Sequence, residues 1–382
     1  MAKQHFSAKT LYGLEDLAVQ ELTQLGATKL VKGNRIVSFE GDQALLYKAN
    51  LCSRSILRIL VPISSFTAHN DRHLYQMAKK ISWQKYLRLD QSFAIDSTVN
   101  GTRFKHSQYA ALKVKDAIVD QFKEETQERP NVNTHNPNVR INLHISDTDV
   151  TISLDSSGDS LEKRGYRTES NEAPMSECLA AAMVMLSGWN QEKPLLDAMT
   201  GSGTIPIEAA LIATNTAPGL FRKFGFEHWA DFDEGLFKQL KHQLRMDITS
   251  PKTRIIARDI NAQNISTAKR NASRAAVIEH ITFEKQDFLT SDPLDEPAFI
   301  FMNPPYGERL EEDEDMPPFY HDIGFRLKHH FPGNQLWIIS GNLKALKRIG
   351  LKPDHKYKVF NGSIECRLNG YSLFAGKRLE QL

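Results

Sequence analysis

The sequence predicts an α/β protein in which small α+β units precede a doubly wound, mainly parallel sheet. Three observations lead there. Up to about residue 160, short strands and helices alternate and end in a two-strand hairpin pattern. From about Pro194 onward, strand and helix follow each other repeatedly, the order that builds a parallel sheet. The length of 382 residues also exceeds what a single core usually holds.

Taken in order, HFSAK reads as a strand. LYGLEDLAVQELTQLGA sets Leu14, Leu17, Ala18, Leu22 and Leu25 on one helical face and is closed by Gly26. RIVSFEG alternates as a strand does, DQALLYKANLCSRS is helical, and ILRILVPISSF is a buried strand. Residues 1–60 thus have the pattern of a small ferredoxin-like α+β unit. In residues 61–160, HLYQMAKKISWQKYL is helical, SFAIDSTVNG is a strand and HSQYAALKVKDAIVDQFKEETQ is a long helix. NPNVRINLHISDTDVTISLDSSG then gives two strands joined at Asp147–Asp149. SSGDS and the basic RGYR read as the end of that unit. In residues 161–382, PLLDAM, TRIIARDI, ITFEKQD, AFIFMN and QLWIISG are apolar strands, with TIPIEAALIAT and NAQNISTAKRNASRAA as helices between them. HKYKVF and ECRLNGYSLF close the sheet, and Asn215 to Asp247 form an insertion. EEDED at Glu311–Asp315 reads as a solvated acidic loop ahead of a helix.

Composition narrows the function classes. No apolar run approaches the roughly 20 residues of a membrane span, and the start, MAKQHFSAKT, lacks a signal-peptide core. Cys52, Cys178 and Cys366 are scattered, without the spacing of a zinc site or a disulfide framework, so neither a metal nor a membrane partner is expected. A cytoplasmic protein follows. Met1–Gly165 carries 22 Lys and Arg against 18 Asp and Glu, a mildly basic balance that suits a polyanion partner.

Two stretches carry chemistry. In LLDAMTGSGTIPIEAA, Asp197 ends a strand, Gly201-Ser202-Gly203-Thr204 turns sharply, and a helix begins at once. A dinucleotide fingerprint fails, because Pro206 stands where its third glycine belongs and the next strand-end acid, Asp259, comes 56 residues after Gly203. A phosphate loop fails for want of a lysine after Gly203. A ligand with a ribose but no phosphate fits better. Asp259, followed by Ile260, is placed to accept both ribose hydroxyls; Asp287 can accept from an adenine amine, with Phe288 against its ring. Asp197, beside Thr200, can hold an ammonium. Three strand-end acids facing a cationic adenosyl amino acid describe S-adenosylmethionine.

The second stretch is FIFMNPPYGERL. Prolines fix φ and lack an N–H, so Asn303-Pro304-Pro305 projects the Asn303 amide oxygen and the Pro304 carbonyl as two acceptors at fixed separation. A planar exocyclic amine has two donors to fill them, and Tyr306 supplies a ring on which a base can stack. Asn cannot take a proton, so the turn orients an amine and does not deprotonate it. Guanine and adenine amines serve alike.

DAMTGSGT, ARDIN, EKQD and NPPYGERL, in that order, resemble the motifs of S-adenosylmethionine-dependent amino-methyltransferases of the N6-adenine/N2-guanine type. RGYRTESNEAPMSECLAAAMVMLSGW resembles the cofactor-side helix ahead of the sheet in that family, which implies that Glu177 helps to hold the methionine moiety. NTHNPNVRINLHISDTDVTISLDSSGDSLEKRGYR is similar to the end of a THUMP domain, an RNA-binding module usually preceded by a ferredoxin-like segment. Nearly the whole chain resembles the guanine-N2 half of the RlmL-type bifunctional enzymes of large-subunit ribosomal RNA. A second methyltransferase half is not expected, since the sequence stops at Leu382. Thr200 stands where that family often has Cys. The resemblance implies a Rossmann-like methyltransferase sheet, S-adenosylmethionine as cofactor, and methyl transfer to a guanine N2 of 23S ribosomal RNA. It also makes Arg103, Lys105, Lys113, Lys115 and Arg140 of the THUMP-like part phosphate contacts. The rivals are a transfer-RNA guanine-N2 enzyme, a DNA adenine-N6 enzyme, and a non-catalytic RNA-binding assembly factor with a vestigial cofactor site.

Overall fold

The computed structural model describes residues 3–167, 175–305 and 316–374. They form two compact units that share the chain unevenly. One gathers Met1–Thr10, Val19–Leu161 and Arg222–His242; the other gathers Leu11–Ala18, Glu162–Phe221 and Gln243–Leu382.

The elements of the first unit are β1 (Gln4–Thr10), α1 (Glu15–Gln24, whose first residues belong to the other unit), β2 (Thr28–Gly33), β3 (Ile36–Gly41), α2 (Gln43–Cys52), β4 (Ile56–Thr67), α3 (Asp71–Lys79), β5 (Ser92–Asn100), α4 (Ser107–Thr126), β6 (Asn131–Val132), β7 (Val139–Ser146) and β8 (Asp149–Asp155). The strands make one sheet in the order β2-β3-β1-β4-β8-β7-β5-β6. Period-two alternation decides its faces. Val139, Ile141, Leu143 and Ile145 of β7 enter a core with Val150, Ile152 and Leu154 of β8, while Arg140, Asn142 and His144 take the other face. Helix α4 covers the apolar face with Ala110, Val114, Ala117, Ile118 and Phe122, spaced at the helical period. Strand β4 spans 12 residues and pairs with β1 through Ile56–Leu60 and with β8 through Leu60–Thr67. The expected boundary at residue 60 therefore falls inside a continuous strand.

Two local expectations change. The helix read over HLYQMAKKISWQKYL stops at Lys79, and Trp83–Lys85 forms a separate 3₁₀ turn. Gln121 of α4 causes the break: its amide donates to the carbonyls of Lys79 and Ile81 and accepts from the Trp83 N–H, so the chain leaves the helix with its groups satisfied. Strand β2 was not anticipated, since TKLVKG is an exposed edge strand marked by Lys29 and Lys32 instead of alternating apolar residues.

The second unit contains α5 (Glu177–Leu186), β9 (Leu195–Asp197), α6 (Thr204–Ala213), most of its sheet from β10 (Ile255–Asp259), and α8 (Ala262–Arg274). Between α6 and β10 lies α7 (Glu234–Met246), whose residues up to His242 belong to the first unit, and β11 (Ile281–Lys285), β12 (Phe299–Met302), α9 (Met316–His330), β13 (Gln335–Ser340), α10 (Leu343–Lys347), β14 (His355–Asn361) and β15 (Ile364–Ser372) complete the second. The sheet order is β11-β10-β9-β12-β13-β15-β14, parallel from β11 to β13 and antiparallel at β15 and β14. Both faces are buried. Leu195, Ile255, Ala257, Phe299 and Phe301 meet α5 and α6, whereas Leu196, Ile256, Ile300 and Met302 meet Tyr320, Ile323 and Leu327 of α9. At about 1.5–3 kcal/mol for each large side chain, this double burial is what fixes the strand ends in register. Among the described residues, no helix is long and apolar enough to cross a membrane.

The insertion does not form a separate appendage. Its residues 222–242 belong to the first unit. There Phe226 stacks on Tyr47 at 4.5 Å, Phe224 on Phe226 at 5.2 Å, and Phe237 meets Phe226 edge-on. The Tyr47 hydroxyl accepts from the Asp233 N–H at 3.0 Å.

Candidate active site

In the second unit the chain runs β9 to β10 to β11 toward one edge and then returns to β12 on the other side of β9. That reversal is where open α/β sheets leave a crevice at the carboxyl ends of strands. The register sets the residues around it. Asp197 lies level with Phe301 of β12 and Ala257 of β10, so Asn303 and Asp259 both stand two residues further out, on either side of it.

The glycine turn is tied to both neighbours. Ala198 N–H donates to the Phe301 carbonyl and Thr200 N–H to that of Arg258. Gly201 N–H donates to Asp259 Oδ2 at 2.9 Å. Both glycines have positive φ, for different reasons. A Cβ on Gly203 would sit 2.8 Å from that of Ala268, so this glycine lets α6 pack against α8. A Cβ on Gly201 would meet nothing within 4 Å; here the backbone is open to a ligand.

Four oxygens at this edge are buried and have no hydrogen-bond partner: Asp197 Oδ2, Thr200 Oγ1, Gln286 Oε1 and Asn303 Oδ1. A buried polar atom left unpaired costs about 1–3 kcal/mol, so the edge is built for a ligand rich in donors. Asp197 is 1% exposed, and burial pushes its carboxyl up to about 7; the Thr200 hydroxyl nearby and the Met199 N–H pull the other way, and Asp259 adds to the rise. Burial also lifts Glu177, the first residue of α5, to about 7, against the pull of Arg167. Their ionised forms are expensive without a cation.

The structure sharpens several predicted roles. Asp259 is 7% exposed and mostly engaged: besides Gly201, its Oδ1 accepts from Asn261 N–H at 2.9 Å and the Asn264 amide at 3.1 Å. Of a carboxylate's roughly four acceptor positions this leaves one, so the expectation that Asp259 accepts both ribose hydroxyls is reduced to a single bond. Asp287 uses Oδ1 to accept from Leu289 N–H at 2.9 Å and keeps Oδ2. Phe288 was expected to lie against an adenine, but its ring is buried and stacked on Phe331 at 5.3 Å in the core. Ile260, which follows Asp259, is an exposed apolar side chain. Thr204 opens α6, and its hydroxyl accepts from Arg167 at 2.9 Å. Pro304 is buried and Pro305 exposed; Tyr306 and Glu311–Asp315 lie outside the described residues. Gln286 and Arg167 were missed. Arg167 sits in the basic RGYR run, which was read as a unit boundary and as the start of the cofactor-side segment, with Glu177 alone singled out there.

In the first unit, the basic residues separate into two groups. Arg103 and Lys105 are exposed and have no ion-pair partner among the described residues. Lys113 lies over the Tyr109 ring at 5.0 Å. Lys115 is paired with Asp116 at 2.7 Å, and Arg140, 12% exposed, is held by Asp96 at 3.0 Å.

A match to the methyltransferase domain described as RMKL-like covers residues 164–369. The chain belongs to this methyltransferase family. Residues 5–60 match the RlmL ferredoxin-like domain and residues 68–155 the THUMP domain. Across 97% of both chains it is 39% identical to a protein of Synechocystis sp. named as a candidate RNA methyltransferase. It is 36% identical to the ribosomal RNA large subunit methyltransferase K/L of Shewanella baltica, over 97% of this chain and 53% of that one, and so spans about half the length of that relative. Among solved structures, the candidate methyltransferase SMU.472 in complex with S-adenosylhomocysteine shares 28% identity over the full length of both chains, with a TM-score of 0.88. A predicted N6-adenine-specific DNA methylase from Listeria monocytogenes shares 30% identity over 98% of this chain and 97% of that one, with a TM-score of 0.86.

The cofactor of the family fits these residues. S-adenosylmethionine offers an ammonium, ribose hydroxyls and an adenine amine, which are donors for the unpaired oxygens of Asp197, Thr200 and Gln286 and for the remaining acceptors of Asp259 and Asp287. No phosphate would be tolerated beside so many acceptors.

Proposed function

We propose that this chain transfers a methyl group from S-adenosylmethionine to the N2 amine of a guanine in 23S, large-subunit ribosomal RNA. The observation that carries the reading is the Asn303 amide oxygen, buried and without a partner at the end of β12, ahead of two prolines that offer no competing N–H.

In this reading, Asp197 and Glu177 hold the ammonium, Asp259 the ribose and Asp287 the adenine amine, with Gly201 leaving room for close approach. The bound cofactor supplies an electrophilic methyl group on its sulfonium. The chain positions the amine. Asn303 Oδ1 and the Pro304 carbonyl accept its two N–H bonds, which turns the nitrogen lone pair toward the incoming carbon. Neither acceptor takes a proton at neutral pH, so the proton released on transfer passes to water. Tyr306 stacks on the base, which must be unpaired or flipped at a cost of a few kcal/mol. Residues 1–60 and 61–160 recognise the RNA, with Arg103, Lys105 and Lys113 as phosphate contacts, and 161–382 carry out the transfer.

The two acceptors also suit an adenine N6, the group in the Listeria protein's name. The RlmL-type ferredoxin-like and THUMP matches favour ribosomal RNA and guanine. Mass-spectrometric mapping of modified nucleosides in ribosomal and transfer RNA, from cells with and without this chain, tests the choice. Loss of one N2-methylguanosine from 23S RNA is expected. Loss of N6-methyladenosine, or of a transfer-RNA guanosine modification alone, refutes it.

A further inference from the structure

The glycine turn and the strand ends leave the partly buried Arg167 without a role. Arg167 lies ahead of α5 and is 12% exposed. One guanidinium nitrogen, Nη2, donates to the Met175 carbonyl at 2.7 Å and to the Thr204 hydroxyl at 2.9 Å, and stands 3.5 Å from Glu177 Oε2. Met175 lies two residues before α5, ahead of its N-cap Ser176, Glu177 is the first residue of α5 and Thr204 the first of α6. A single cation therefore ties together the two helix starts that border the proposed ammonium site. Its Nε is buried without a partner, so the side chain is placed for these contacts at the expense of its own full solvation.

We infer that Arg167 is a positioning residue for the amino-acid end of the cofactor, acting through Glu177: it clamps the first turns of α5 and α6 and keeps the Glu177 carboxylate aimed and charged. This rests on the reading of Glu177 as an ammonium contact. The charged groups facing Glu177 are Arg167 and Arg164 from the segment before α5 and Glu208 from α6, and the Tyr166 phenol and Cys178 thiol beside it are kept neutral by burial; Glu208 also accepts from the Tyr166 hydroxyl at 3.0 Å. Burial and Glu208 favour the neutral acid, and Arg167 leads the opposition. Replacing Arg167 by a neutral residue must then leave Glu177 protonated over a wider pH range.

The test is calorimetric binding of S-adenosylhomocysteine, which carries the same amino-acid end, to the full chain at pH from about 6 to 9. Wild type, Arg167→Gln, Arg167→Lys, Glu177→Gln and the Arg167→Gln/Glu177→Gln double variant are compared. The Kd ratio of Arg167→Gln to wild type is expected to be about tenfold near pH 7 and to shrink as pH rises, since Glu177 ionises anyway at high pH. The ratio cancels the ligand's own titration. Arg167→Lys should restore most of the pH profile, and it stands in if Arg167→Gln does not fold. In the Glu177→Gln background the second substitution should add less than about twofold. A deficit independent of pH, or one that adds fully to Glu177→Gln, makes Arg167 merely structural and overturns the inference. Unchanged binding in Glu177→Gln alone overturns the Glu177 reading and, with it, this one.

Discussion

Asp197→Asn should stabilise the protein without cofactor while weakening its hold on the cofactor. Asp197 is 1% exposed, and its carboxyl is pushed from the ordinary 3.8 to about 7, chiefly by burial. Between those values the unfolded chain has already lost this proton and the folded chain still holds it. Folding then binds a proton, and each pH unit removes about 1.4 kcal/mol of stability. From about pH 5.5 to 7 the loss at this residue is roughly 2 kcal/mol; above 7 both states are ionised and it stops. Glu177, raised from 4.5 to about 7, is also buried and adds a loss of the same order in the same window. Denaturant unfolding of the cofactor-free protein at about pH 5.5, 7 and 8.5 should show wild type losing roughly 4 kcal/mol and Asp197→Asn about half of that. Binding of S-adenosylhomocysteine should weaken at least about tenfold in the variant, because the ammonium loses its charged partner. Equal pH dependence in the two proteins would refute the claim that Asp197 is stored in an unfavourable environment for a cation.

Other substitutions separate the parts of the site. Asn303→Ala should lower the rate of methyl transfer at least about a hundredfold while changing cofactor Kd by less than about threefold, as measured by single-turnover assay and calorimetry. Gly203→Ala, with φ +86° and Ala268 2.8 Å from the new methyl, should cost about 1–3 kcal/mol in denaturant unfolding. Gly201→Ala should cost only about 1 kcal/mol by the same measure, yet reduce cofactor affinity more, since its methyl points into open space. Arg103→Glu with Lys105→Glu should weaken RNA binding and flatten its salt dependence in filter-binding assays, leaving cofactor affinity unchanged. Arg140→Ala, by contrast, should act mainly on stability, because it releases Asp96.

Much of the site was legible because its parts sit at strand ends, where sequence is loudest. Asp197, Asp259 and Asn303 each follow a short apolar run, and the parallel register alone brings them to one edge. What a strand-end acid already bonds to could not be read in the same way. The partners of Asp259 come from a glycine 58 residues earlier and from the helix that follows it, and only the fold counts them. Phe288 misled for a related reason: beside Asp287 it looked available to an adenine, but residues that leave a parallel strand still have the core to fill, and Phe331 claims its ring. Arg167 was silent because one partly buried arginine in a basic run carries no period and no spacing. The broken helix at Lys79 depended on Gln121, about forty residues away, and edge strand β2 had traded the alternating pattern for lysines.

The aromatic cluster around Tyr47 has a consequence for how the molecule is made. Phe224, Phe226 and Phe237 complete the first unit, yet they are synthesised only after α6. On a ribosome delivering residues in order, at about 5–20 each second, the first unit waits for His242 before its last aromatic contacts can close. Leu11–Ala18 wait longer still, because the sheet of their unit ends with β15. A fragment beginning at Glu162 would carry three buried phenylalanines with no Tyr47 to receive them. For this chain, RNA recognition and methyl transfer are therefore better dissected by single substitutions than by cutting between the units, and its birth is expected to lean on chaperones until the final strand emerges.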